Sequence, residues 1–158
     1  MKHFTLLVLM TFVYAGCSDS IPEEEVNIET IFPGTGITSI DFGDTAQTVF
    51  ETFGNVSARS SAWNNGYRYF LDYPTGMTFV IEEGTTEELD ANLKVIGIIL
   101  EAPFEGKTNV GIGVGSTKSD VIAAYMEPDS DIAFMVYNDL GMTLSLEDDL
   151  VDAIQIKQ

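Results

Sequence analysis

Residues 43–53, Gly43-Asp44-Thr45-Ala46-Gln47-Thr48-Val49-Phe50-Glu51-Thr52-Phe53, align without a gap to residues 115–125, Gly115-Ser116-Thr117-Lys118-Ser119-Asp120-Val121-Ile122-Ala123-Ala124-Tyr125. Two more blocks follow in the same order: residues 76–83 align to 141–148, both opening Gly-Met-Thr, and residues 95–100 align to 151–156. The offset falls from 72 to 65 to 56 residues, which assigns the extra residues of the first half to two loops, near 57–66 and 84–92. A chain that repeats turns and apolar positions in order is expected to repeat a supersecondary unit and to carry its insertions in loops.

The residues of each block indicate what that unit is. Thr45 and Thr117 stand where a hydroxyl can accept from a free N–H of a helix's first turn, and Asp120 completes a near capping box with Thr117. Val49, Phe50 and Phe53, like Val121, Ile122 and Tyr125, have the i, i+1, i+4 spacing of one apolar helix face. Gly54 and Pro128 punctuate the helix ends. Residues 67–73 and 132–138 are aromatic and β-branched strand candidates. Met77, Phe79 and Ile81 alternate with Thr78, Val80 and Glu82, and Met142, Leu144 and Leu146 alternate with Thr143, Ser145 and Glu147. Period two marks a strand with one buried face. The expected fold class is α+β, with two tandem repeats, each a short helix packed on an antiparallel sheet of about three strands. These form a single globular domain at 37–158, divided into 37–104 and 105–158.

The N-terminus has the layout of an export signal: Lys2 and His3, an apolar run from 4 to 14, then small Ala15 and Gly16. Tyr14-Ala15-Gly16-Cys17 resembles the lipobox of bacterial lipoprotein precursors, although Tyr14 stands where that family usually has Leu. The resemblance implies removal of residues 1–16, lipidation of Cys17 and, with Ser18 next, sorting to the outer membrane. Eleven apolar residues are too few for a helical span, which needs about 20. An ordinary secretory signal with an incidental cysteine is the alternative. Residues 17–36, with Glu23-Glu24-Glu25 and Pro33-Gly34, read as an acidic extended tether.

Processing would also limit chemistry, because His3 and Cys17 are the only histidine and cysteine. Without imidazole or free thiol, a Ser-His-Asp triad, a Cys-His pair and His- or Cys-based zinc sites are excluded from the mature chain. No cofactor is expected. The net charge of −18, from 7 basic and 25 acidic side chains, makes nucleic acid an unsuitable partner, since phosphates bind basic surfaces. Residues 111–118 end Gly-Ser-Thr-Lys, with the Lys after the Thr, and residues 105–108 lack the first Gly of a phosphate loop; neither is a nucleotide site. The acidic clusters at 82–83, 87–88, 129–131 and 147–149 lack the spaced pattern of a calcium loop and read as solvated hairpin tips.

The remaining candidate is aromatic. Trp63, the only tryptophan, falls in the longer loop of the first half, with Tyr67, Tyr69 and Tyr73 on alternate positions of the next strand. Rings with polar tips suit partner contact, and alternate aromatics on a strand equally suit a core. Trp63 is the stronger candidate, because the second half has no counterpart. Arg59 and Arg68 are expected to pair with the chain's own carboxylates. Asn55-Val56-Ser57 fits a glycosylation sequon and is read as chance.

A Gly-Ser-Thr helix start, a short helix and three strands with an Ile-rich last strand resemble the BamE-like (SmpA/OmlA) outer-membrane lipoproteins over residues 37–158. The duplication further resembles the β-lactamase inhibitory protein fold. The fold resemblance leaves the role open; the lipobox, the tether and the repeat together give the expectation of a lipid-anchored, non-catalytic binding or assembly module of the cell envelope, at the outer membrane and facing periplasm or cell surface, with an envelope protein as partner. Two alternatives stay open, a periplasmic enzyme inhibitor and a small carboxylate-dependent hydrolase.

Overall fold

Alternating side chains build one wide sheet. The computed structural model describes residues 28–158, which form β1 (Thr30–Phe32), β2 (Gly36–Ile37), β3 (Ile40–Asp41), α1 (Ala46–Phe53), β4 (Arg59–Trp63), β5 (Gly66–Tyr73), β6 (Met77–Gly84), β7 (Val95–Glu101), β8 (Lys107–Thr108), α2 (Lys118–Tyr125), β9 (Ser130–Asp131), β10 (Met135–Tyr137), β11 (Met142–Glu147) and β12 (Leu150–Lys157). Eight strands pair antiparallel in the order β4-β5-β6-β7-β12-β11-β10-β9. A second sheet has the order β3-β2-β1-β8.

The register of the large sheet sorts its side chains onto two faces. Tyr137, Met142, Ile156, Ile98, Phe79 and Leu71 are successive cross-strand partners, and all are buried. The parallel row Met135, Leu144, Ile154, Leu100, Met77 and Tyr73 is buried as well. Each such side chain contributes about 1.5–3 kcal/mol by leaving water. Both helices and the small sheet join this inner face. Phe53 meets Tyr73 and Phe79, Tyr125 meets Tyr137, and Ile31, Ile37 and Ile40 belong to the same buried cluster.

The expected fold class is corrected by this topology. The described residues are mostly β, 46% strand and 15% helix, and they do not form two helix-on-sheet repeats. The physical reason lies at β7 and β12. As last strands of separate small sheets, each would leave a row of unpaired backbone groups at an edge. They pair instead, Ile98 opposite Ile156 and Leu100 opposite Ile154, so that one continuous sheet runs through both halves.

Correspondence between the halves is local. Thr45 Oγ1 accepts from Thr48 N at 3.2 Å, and Thr117 Oγ1 accepts from Asp120 N at 3.1 Å, with Thr117 N returning a bond to the Asp120 carboxylate. Each helix start is stitched to a central strand: Gly43 N donates to Val95 O and Val95 N to Asp44 O, while Gly115 N donates to Val151 O and Val151 N to Ser116 O.

Three further expectations change. The tether assigned to 17–36 ends earlier, because Ile31 is fully buried and β1 pairs with both β2 and β8. The first insertion, near 57–66, is not a loop; it supplies β4 and the turn into β5. The strand expected at 132–138 is only Met135–Tyr137, with Ile132 and Phe134 exposed at the hairpin tip.

Candidate functional site

The β4–β5 hairpin fixes the chemistry of the outer face. Arg59 lies opposite Phe70, Ser61 opposite Arg68 and Trp63 opposite Gly66, around the turn residues Asn64 and Asn65. Asn64 takes a left-handed φ of 51°, which Asn tolerates better than most residues. Because strand side chains alternate, Arg59, Ser61 and Trp63 share the outer face with Arg68, Phe70 and Asp72. That face continues across the sheet through Val80, Gly97 and Lys157 in one register row, and through Thr78, Ile99 and Gln155 in the next.

Its polar groups are held in place. The Arg68 guanidinium lies 4.4 Å from the centre of the Trp63 ring, and that of Arg59 lies 4.3 Å from the Phe70 ring. Such stacking is worth about 0.5–1 kcal/mol at exposed sites. Arg59 donates through Nε and Nη2 to both oxygens of Asp72, at 2.9 and 3.2 Å, and Thr78 Oγ1 donates to the same carboxylate at 2.9 Å. The bond from Arg59 holds the Asp72 carboxyl below its ordinary range, against a smaller opposing effect of desolvation. Arg68 pairs with Glu83 at 2.8 Å. The arginines are therefore paired with the chain's own carboxylates, and the pairs fix how the Trp63 and Phe70 rings are presented.

The sheet separates the four aromatic residues singled out from sequence. Trp63 is 47% exposed at the end of β4, on the outer face. Tyr67, Tyr69 and Tyr73 have the opposite parity and face inward. Tyr69, 1% exposed, donates to Thr86 O; Tyr73, 9% exposed, donates to Gly54 O; Tyr67 is half-buried against the core. Reading these tyrosines as contact residues is corrected for Tyr69 and Tyr73, whose rings are core. Phe70 belongs with Trp63 on the outer face, and its signal in the sequence is that among the even positions Arg68, Phe70 and Asp72 it is the apolar one. Cys17 lies outside the described residues.

A shallow depression of about 330 Å³ lies on this face among Arg68, Val80, Ile96, Gly97, Gln155 and Lys157. A larger one, about 590 Å³, lies elsewhere, at the turn of Gly111, Gly115 and Ser116 that enters α2. There the Asp120 carboxylate accepts from Thr117 at the helix start and sets a negative charge where an anion would sit, so that turn does not suit phosphate. Asp148 and Asp149, both with positive φ, form the tight turn between β11 and β12. Among the described residues no three His, Cys, Asp or Glu side chains converge as a metal site, and no helix is long and apolar enough to cross a membrane.

Nothing in the comparisons identifies a BamE-like or inhibitor-protein family: the chain matches no family model, no curated protein and no solved structure.

Proposed function

We propose that this chain is a non-catalytic binding module of the bacterial cell envelope, held at the outer membrane by lipid on Cys17, which grips a protein partner with the outer face of its eight-stranded sheet. The observation that carries this reading is the exposed Trp63 ring, stacked on Arg68 beside the Arg59–Phe70 pair, on the face opposite the buried core. Tryptophan and arginine are the side chains most enriched at sites that dominate interface energetics. A rigid, already paired arginine also loses little freedom on binding.

The anchor rests on the lipobox resemblance and the face on geometry, so they are tested separately. Cys17→Ala is expected to leave an unprocessed form that is lost from the outer-membrane fraction; unchanged mass and fractionation would remove the anchor. Crosslinking in intact envelopes is expected to give a partner adduct that Trp63→Ala reduces at least about tenfold, the loss of ~1.4 kcal/mol. An adduct of equal yield from Trp63→Ala would move the contact away from this face.

A further inference from the structure

Among the described residues the large sheet ends in two unlike edges. At one end β9 has two residues, and its Asp131 carboxylate is engaged by Lys118 from α2. At the other end β4 has five residues, Arg-Ser-Ser-Ala-Trp, exposed at four of them, with β5 as its one neighbour among the described residues. Natural edges are blunted by charged side chains, Lys above all, and by Pro, bulges or shortness. β4 has neither Lys nor Pro, its one charge is Arg59 at its first residue, tied to Asp72, and its pairing with β5 runs without a register shift.

The hairpin determines which backbone groups are free. Residues flanking a two-residue turn form a hydrogen-bonded pair, and such pairs alternate along the ladder. With Trp63 opposite Gly66, the bonded positions are Trp63, Ser61 and Arg59. Ser60 and Ala62 therefore turn both N–H and C=O away from β5. Their small side chains, with Ser61 between them, leave room for another backbone at strand spacing.

Charge selects the occupant. Both arginines of this strongly acidic chain lie at this end of the sheet on its outer side, Arg59 on β4 and Arg68 on β5; Arg68 is taken up by Glu83 and Trp63, whereas the Arg59 side chain, on the edge strand itself, stays 57% exposed beside Asp72 and open to a second carboxylate. We propose that the β4 edge accepts an extended segment of a partner protein by strand addition. The segment carries an apolar side chain that lies beside Trp63 and, four residues later, a carboxylate that lies beside Arg59, and it runs antiparallel to β4. Backbone bonds at Ser60 and Ala62 supply affinity, and the alternate side chains supply selection. This rests on the binding-module reading and names the form of its partner.

The test uses the full chain and the peptide acetyl-Thr-Phe-Thr-Val-Thr-Glu-Thr-amide at about 1 mM, followed by amide exchange in NMR. Exchange at Ser60 and Ala62 is expected to slow about tenfold. Protection is expected to disappear when the two threonines flanking the valine are N-methylated. Replacing the peptide's Glu by Lys is expected to weaken binding about tenfold, and Arg59→Glu to reverse that preference.

Unchanged exchange at Ser60 and Ala62, or equal binding of the Lys peptide, overturns the inference. So does protection already present without peptide, whether it grows with protein concentration, as for a second copy, or vanishes on removing residues 1–27, as for the chain's own N-terminal segment. If a Trp63-dependent partner adduct persists while these amides are unaffected by the peptide, the binding module stands and strand addition falls.

Discussion

The two helix-bearing ends of the sheet are built from matched parts to different standards. At each end a threonine-capped helix of eight residues finishes on an aromatic side chain that packs against a tyrosine of the sheet, Phe53 on Tyr73 at 5.7 Å and Tyr125 on Tyr137 at 5.6 Å. At each end that tyrosine donates to the carbonyl of the residue ending the helix, Gly54 at 2.8 Å and Met126 at 3.0 Å. The α1 end adds Phe79 to make a triangle of rings and has strands of eight residues in β5 and β6. The α2 end has Leu144 at the position corresponding to Phe79, a three-residue β10, and an exposed apolar tip at Ile132 and Phe134. The lesson is that the shared parts fix how a helix is seated, while the unshared ones decide which end presents a long, ordered hairpin to solvent.

The largest expected effect tests the ring triangle. Phe79→Ala removes a fully buried ring and is expected to cost about 3–5 kcal/mol, against about 2–5 kcal/mol for Leu144→Ala, read by urea unfolding of each variant. If Leu144→Ala proves the costlier change, the α1 end is not the better-packed one.

Next comes the helix end. Gly54 (φ 86°, ψ 166°) and Met126 (φ 67°, ψ −164°) occupy a backbone region that is essentially reserved for glycine, costing other residues about 1–3 kcal/mol. Gly54→Ala is expected to lose about that much. Met126→Gly is expected to gain about 1 kcal/mol after the greater freedom of glycine in the unfolded chain is subtracted. Opposite signs in thermal unfolding sharpen the comparison; a loss on Met126→Gly breaks it.

Smallest is the response to pH. Because Arg59 holds the Asp72 carboxyl low, the pair contributes stability that is present above the ordinary aspartate value of about 3.9 and is lost as pH falls through the lower folded value. The pair is well exposed, so the loss is expected to stay under about 1 kcal/mol. It should appear first as broadening at Phe70, the ring on which Arg59 stacks. Alkali acts on both ends. Burial raises the Tyr73 and Tyr137 hydroxyls, so their contribution is present below about pH 10 and is lost as pH rises through the folded values. An acid titration that disturbs Tyr137 before Phe70 would contradict the assignment.

Much of the local structure was legible. Thr45 and Thr117 as caps, Gly54 as a helix end and Met77, Phe79 and Ile81 as one buried face were read from spacing alone, and each is found in place. These features depend on groups within a few residues of one another. The small sheet was not legible, because Thr30–Phe32 carries no periodic signal and becomes a strand by pairing with residues 36–37 on one side and with residues 107–108, far away in sequence, on the other. β4 was hidden for a related reason: Ser60, Ser61 and Ala62 have weak strand preference and are ordered by β5. At the candidate site, alternation grouped Tyr67, Tyr69 and Tyr73 on one face without indicating which face.

By itself the sequence determined the seats of the two helices, the strands with one apolar side, the acidic balance and the singular Trp63, since each follows from composition or from neighbours along the chain. Only the tertiary structure decided that β7 and β12 join into one sheet, that Tyr69 and Tyr73 point to the core while Trp63 and Arg68 point away, and that β4 has β5 as its one strand neighbour among the described residues. Those outcomes come from free energies of pairing and burial between distant segments. A period of two fixes which residues travel together, and what lies on either side of the sheet fixes where they go.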